Sequence, residues 1–173
     1  NDPAIAAKTN TPAPNNEEEF TKPYFPAGQS LLVANDSKIK NVRQLNGKKV
    51  LAVKGTTAVD AVHKFAPKAS VIQYDDYGQS FAALIAGLGE AFTTDNGILA
   101  GIARDYPGYK LVGGTFTNQP YGIAVNKGQG EMANKINQAL TELEKDGTYD
   151  RIVRKWFKGI PGFNLHEIEK YGK

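Results

Sequence analysis

Residues 50–112 constrain the fold most, because short apolar runs and amphipathic stretches alternate there with strict regularity. KKVLAVKGTT holds the continuous run Val50, Leu51, Ala52 and Val53, the pattern of a strand buried on both faces. Residues 56–65 place Val59, Val62 and Phe65 three apart, which predicts a helix. SVIQY is a second strand, and residues 79–88 carry Phe81, Leu84, Ile85 and Leu88 as one helical stripe that Gly89 ends. EAFTTDNGILAGIARDYPG repeats the unit, with a strand around residues 91–93 and a helix bearing Ile98, Leu99 and Ile102 until Pro107 stops it. YKLVGG supplies the last strand of the series. This order predicts an α/β fold with a mostly parallel sheet covered by helices, and about 90 residues suffice for one such lobe.

The flanks are of another kind. GQSLLVAND reads as a strand ending in a turn, and PYGIAVNKG as a further strand. Residues 130–145 form a helix with Met132, Ile136, Leu140 and Leu143 on one stripe. Asp146, Gly147 and Thr148 then close that helix and cap the next, which is expected to bury Tyr149, Ile152, Val153 and Trp156. The end, GIPGFNLHEIEKYGK, is loop followed by a weak polar helix. Residues 8–25, KTNTPAPNNEEEFTKPYF, have the composition of a linker, yet they end in an aromatic turn leading straight into an apolar strand.

Composition excludes more than it assigns. At 173 residues, 40% hydrophobic and 23% charged, the chain can build one good core or two small lobes. Its 21 basic and 18 acidic residues give a net charge of +3 with no basic tract, so nucleic acid is not an expected partner. No run approaches the roughly 20 apolar residues of a membrane span, and the first residues, NDPAIAAK, do not have the form of a signal peptide. Cysteine is absent, and His63 and His166 stand far apart without paired carboxylates, so no metal site is expected. No cofactor is expected either. There is no phosphate-binding loop or serine-nucleophile elbow, and the Gly128, Gly130, Ala133 spacing lacks the second parallel strand with an acidic end that a dinucleotide site requires.

Two places can carry a ligand. LAVKGTT puts Gly55, Thr56 and Thr57 where a buried strand gives way to a helix, whose free amides and dipole suit a carboxylate or phosphate. The structural alternative is that Gly55 makes the turn and Thr56 or Thr57 caps the helix. FTTDNGILAG has the same architecture with Asp95 at the strand end, where an N-cap role is equally available. Both lie at carboxyl ends of parallel strands, the edge at which open sheets of this class bind ligands. Lys54, just before Gly55, is a further candidate for meeting a ligand's polar end.

Five segments in order, FTKPYFPAGQSLLVAND, LNGKKVLAVKGTT, FTTDNGILAGIA, QPYGIAVNKG and KDGTYDRIVRKWFKG, resemble the extracytoplasmic solute-binding proteins of amino-acid ABC transporters, family 3, the polar amino-acid-binding type. The resemblance implies a periplasmic-binding-protein-like fold: two α/β lobes joined by two crossing hinge strands, with the ligand trapped between them. Residues 1–25 would be a remnant of the first lobe with the entry to the hinge, 26–118 the second lobe, and 119–173 the return to the first lobe with its terminal helices. Residues 2–7 line up with the family's last strand before the hinge, so the linker-like stretch becomes a ligand-facing edge. Thr9 and Thr11 fall on its ligand-facing threonine or serine positions. Gly55, Thr56 and Thr57 match the carboxylate-side contacts, and Asp95 matches the aspartate that pairs with the α-ammonium group. The family's carboxylate-gripping arginine falls on Pro14, however, and a site glycine falls on Ala7.

The function implied is capture of a polar amino acid outside the cytoplasmic membrane, periplasmic or at the cell surface of a Gram-positive source, and delivery to an ABC permease without chemistry. Two alternatives stand beside it. One is a module of this family that binds no amino acid, favoured by Pro14. The other is a dehydratase-like enzyme on the same scaffold, for which Lys54, Asp95 and Glu90 are the available acids and bases.

Overall fold

The alternating runs become a mixed five-stranded sheet with helices on both faces. In the computed structural model, described over residues 18–20, 27–119, 124–126, 130–163 and 165, the order is β1 (Glu18–Phe20), β2 (Gln29–Ala34), a 3-10 turn (Val42–Leu45), β3 (Lys49–Val53), α1 (Ala58–Phe65), β4 (Ser70–Tyr74), α2 (Tyr77–Ile85), β5 (Ala91–Asp95), α3 (Asn96–Asp105), β6 (Tyr109–Val112), β7 (Ala124–Asn126), α4 (Gly130–Lys145) and α5 (Thr148–Phe157). Two compact units result. The larger is Gly28–Thr117 together with Gly159–Phe163. In the other, β1 and β7 pair antiparallel and α4 is followed directly by α5.

The large sheet has the order β4, β3, β5, β2, β6. β3 is parallel to both β4 and β5, as the alternation predicts, while β2 runs antiparallel to β5 and to β6. Four strands therefore share a direction and β2 opposes them. The apolar run of β3 is buried at Val50, Leu51, Ala52 and Val53 because helices cover both faces. On one face Leu31, Val33, Val50 and Ala91 pack with Val62 of α1 and with Val42 and Leu45 of the 3-10 turn. Side-chain alternation puts Leu32, Leu51 and Phe92 on the other face, and all three are fully buried. Phe81 of α2 meets Tyr106 and Tyr109 edge to face, with ring centroids 5.0 and 5.1 Å apart.

Helix boundaries follow capping chemistry more closely than apolar spacing. The Asp76 carboxylate accepts from the Gln79 amide at 2.8 Å, and the Asp75 amide donates back to Gln79 Oε1 at 3.2 Å. This reciprocal cap starts α2 at Tyr77, two residues before the expected position. The helix stops at Ile85 and the chain turns at Gly87 (φ 75°), not at Gly89. Ile85 and Leu88 consequently leave the buried stripe and are 56% and 52% exposed. In α5 only Val153 is buried, and Ile152 and Trp156 are half exposed.

Two features bear on the hinge and the sheet edge. Residues 27–29 run beside 116–119, with Gln119 N donating to the Ala27 carbonyl (2.7 Å), Phe116 N to the Gln29 carbonyl (2.9 Å) and Gln29 N to Thr117 Oγ1 (2.8 Å). Gly28 permits this approach, since a Cβ there would lie 2.0 Å from the Thr117 carbonyl oxygen. The second feature is Gly159–Phe163, which falls in the range expected for the first lobe but packs with the larger unit. Its Pro161 carbonyl accepts the outward amide of Leu111 at 3.0 Å, so this strap seals the free edge of β6. Ile160 is buried there, and Gly162 has φ +77° with the Leu111 backbone filling the space of any Cβ.

Candidate functional site

β3 and β5 are parallel neighbours, with Val50 opposite Ala91 and Leu51 opposite Phe92, so their carboxyl ends lie side by side. Gly55, Thr56, Thr57 and Asp95 are thereby brought to one end of the sheet. At the end of β3 the chain turns through Gly55 at φ +74°, and a Cβ at Gly55 would meet open space. The Thr56 hydroxyl donates to the Val53 carbonyl at 2.8 Å and accepts from the Ala58 amide at 3.4 Å, binding the turn to the first residue of α1. Thr57 occupies the N-cap position of α1 without a side-chain capping bond and is exposed.

Asp95 ends β5 and is the N-cap residue of α3, yet its carboxylate makes no capping bond. It is only 5% exposed. A buried carboxylate at a helix start is favoured by the helix dipole and suited to a cation approaching from outside the strand ends. Lys54 instead stands in solvent, where its ammonium pairs with Asp75 at 3.0 Å with both side chains more than half exposed. Exposed pairs of this kind contribute little, about 0–1 kcal/mol, so Asp75 holds Lys54 only loosely. Thr9 and Thr11, and with them Ala7 and Pro14, lie outside the described residues.

The sequence did not reveal that polar residues continue beneath the site. Gln29, Ser30 and Thr93 are 3%, 1% and 0% exposed. Gln29 is the cross-strand partner of Asp95, and Thr93 Oγ1 lies 3.0 Å from the Gln29 carboxamide oxygen and 2.8 Å from the Ser30 carbonyl oxygen. The one available signal was that β2 begins, and β5 ends, in polar residues within otherwise apolar strands. An open cleft of about 770 Å³, lined by residues including Asp36, Lys38, Lys48 and Glu90, lies at the other end of the strands. Glu90 therefore does not join Asp95, and no acid–base pair forms from those two. Among the described residues there is no group of three His, Asp or Glu able to hold a metal, and no helix long and apolar enough to cross a membrane.

Residues 1–159 match the model of the bacterial extracellular solute-binding proteins, family 3. The chain is 48% identical over 161 residues to the ABC transporter glutamine-binding protein GlnH of Bacillus subtilis (strain 168), covering 92% of this chain and 59% of that protein. It is 43% identical over 127 residues to a glutamine-binding protein of Geobacillus stearothermophilus, covering 73% and 48%. Among solved structures, an ancestral arginine-binding protein bound to glutamine superposes with a TM-score of 0.68 at 38% identity, covering 90% of this chain and 76% of that one. The ancestral cationic amino acid solute-binding protein AncCDT-1 does so with a TM-score of 0.75 at 35% identity, covering 88% and 67%. The chain spans about half to three-fifths of the length of these two curated relatives. It belongs to family 3 of the bacterial extracellular solute-binding proteins.

Proposed function

We propose that this chain binds a polar amino acid, glutamine being the first candidate, outside the cytoplasmic membrane and hands it to an ABC permease. In this reading residues 26–118 form the second lobe, joined by the strap at 159–163, and residues 1–25 with the rest of 119–173 belong to the first. The ligand's α-ammonium group pairs with Asp95, and its α-carboxylate meets Gly55, Thr56 and Thr57. Thr9 and Thr11 face it from the first lobe. Lys54, released from its loose pair with Asp75, reaches the ligand side chain. Capture is a population shift between open and closed forms. The observation that carries this reading is the placement of Asp95: a buried carboxylate at the carboxyl end of β5, beside the end of β3 that leads into Gly55, Thr56 and Thr57. The names of the two glutamine-binding relatives support the ligand class.

Calorimetric titration of the chain against the twenty amino acids tests it, with Asp95→Asn alongside. Removing one charge of a desolvated pair costs about 2–5 kcal/mol, so Asp95→Asn should weaken binding by at least thirtyfold. Equal affinity in both proteins would rule out the assigned role of Asp95. The second reading, a module without amino-acid binding, is favoured by Pro14 at the family's arginine position. Silence in wild type with binding restored by Pro14→Arg would establish it.

A further inference from the structure

Gln29 is a long polar side chain buried to 3% at the point where residues 27–29 meet residues 116–119. Burying a carboxamide is unfavourable unless its groups are engaged. Gln29 engages structure on both sides of β2. Towards residues 116–119 it is the main chain of Gln29 that bonds: its backbone N–H donates to Thr117 Oγ1 at 2.8 Å and its backbone carbonyl accepts from Phe116 N at 2.9 Å. Towards β5, it is the register partner of Asp95, and its carboxamide reaches Thr93 Oγ1 at 3.0 Å. Alternation puts Gln29, Thr93 and Asp95 on one face of the sheet.

The chemistry of Thr93 orders this contact. Its hydroxyl has one proton and sits 2.8 Å from the Ser30 carbonyl oxygen and 3.0 Å from Gln29 Oε1. A carbonyl oxygen can only accept, so the shorter contact takes the proton. Turning the carboxamide end for end then satisfies the longer contact, with its NH₂ donating to Thr93 Oγ1. The result is a directional chain from the Gln29 side-chain NH₂ through the Thr93 hydroxyl to the Ser30 carbonyl, fixing β2 against β5 within two residues of Asp95.

We infer that Gln29 is a positioning residue that couples the crossing segment at residues 116–117 to the strand end bearing Asp95. Displacement of that segment and displacement of the Asp95 carboxylate then occur together. Its consequence for affinity rests on the proposed amino-acid binding; the coupling itself does not.

Amide hydrogen exchange of the whole chain in Thr93→Val, Gln29→Leu, the double variant and Thr93→Ser tests this. A bond worth the usual increment changes local opening about fivefold. Thr93→Val should therefore speed exchange of the Phe116 amide about fivefold, although Thr93 and Phe116 lie on opposite sides of β2. Thr93→Ser should restore it, and the double variant should show no more than the larger single effect. Exchange at Phe116 within twofold of wild type in Thr93→Val, with changes confined to β5, would overturn the coupling. Because Val conserves the volume of Thr93, this arm remains informative even where Gln29→Leu fails to fold. In the chain that binds an amino acid, both single variants should weaken affinity about tenfold without multiplying; unchanged affinity in both would overturn the positioning role. Coupling at Phe116 in a chain that binds no amino acid would support this inference and remove the binding assignment instead.

Discussion

Gly28→Ala tests how closely the two crossing segments are bound to each other. The added Cβ would lie 2.0 Å from the Thr117 carbonyl oxygen, 2.9 Å from its carbonyl carbon and 3.2 Å from Thr115 Cβ. Even weak C–H···O contacts keep about 3.3 Å between carbon and oxygen, so the segments must separate by roughly 1.3 Å. The bonds between residues 27–29 and 116–119, now 2.7 to 2.9 Å long, would then pass beyond bonding range. Losing two of them at about 0.5–1.5 kcal/mol each, with residual overpacking of about 1–3 kcal/mol, gives a destabilisation of roughly 2–6 kcal/mol. For a chain of this length that is a fall in Tm of about 4–24 °C, read by circular dichroism. Gly101→Ala is the control: it lies inside α3 and its Cβ would meet nothing within 4 Å, so it should stabilise by about 0.5–1 kcal/mol. A Tm for Gly28→Ala within about 2 °C of wild type would refute the argument, because the backbone would then be absorbing the clash without loss.

Gly162→Ala should displace the strap and expose the Leu111 amide to exchange, because its Cβ would collide with the Leu111 backbone. Gly159→Ala has a similar positive φ but open space around its Cβ, and should leave that amide protected; equal exchange in both variants would reduce the effect to backbone strain. Asp146 has its carboxyl pKa lowered by the Thr148 hydroxyl and amide, with Arg151 adding to the effect. A group lowered in the native state stabilises above its unfolded pKa, and that contribution disappears as pH falls through the native one. Asp146→Asn should accordingly flatten the acid limb of the α5 unfolding curve measured by far-ultraviolet circular dichroism, whereas an unaltered limb would count against this cap.

The parts of the fold that were legible in the sequence are those governed by local pattern. Val50 to Val53 announced a doubly covered strand because four consecutive apolar residues fit few other environments. The Gly55, Thr56 and Thr57 turn and Asp95 were visible as polar residues at the ends of apolar runs. Register and direction across the sheet were not visible. Nothing near Leu31 or Leu32 indicates that β2 opposes β5, because pairing is decided by residues some sixty positions away. The Gln29 and Thr93 contact was hidden for the same reason, since each residue alone reads as a polar interruption. The start of α2 was written locally in Asp76 and Gln79, but apolar periodicity pointed two residues too far along. Trp156 shows the converse, a residue of core type on a regular stripe that is half exposed.

The strap has a consequence for the order in which the molecule can be completed. Residues 28–117 supply every strand of the large sheet, but among the described residues it is Pro161, about fifty residues further along, that closes the outer edge of β6. At usual rates of synthesis of about 5–20 residues per second, that interval is on the order of 3–10 s. Throughout it, a nascent chain would carry the large sheet with one side still adhesive to any passing strand. The strap at residues 159–163 thus ends a period of vulnerability that begins once the sheet itself has been made.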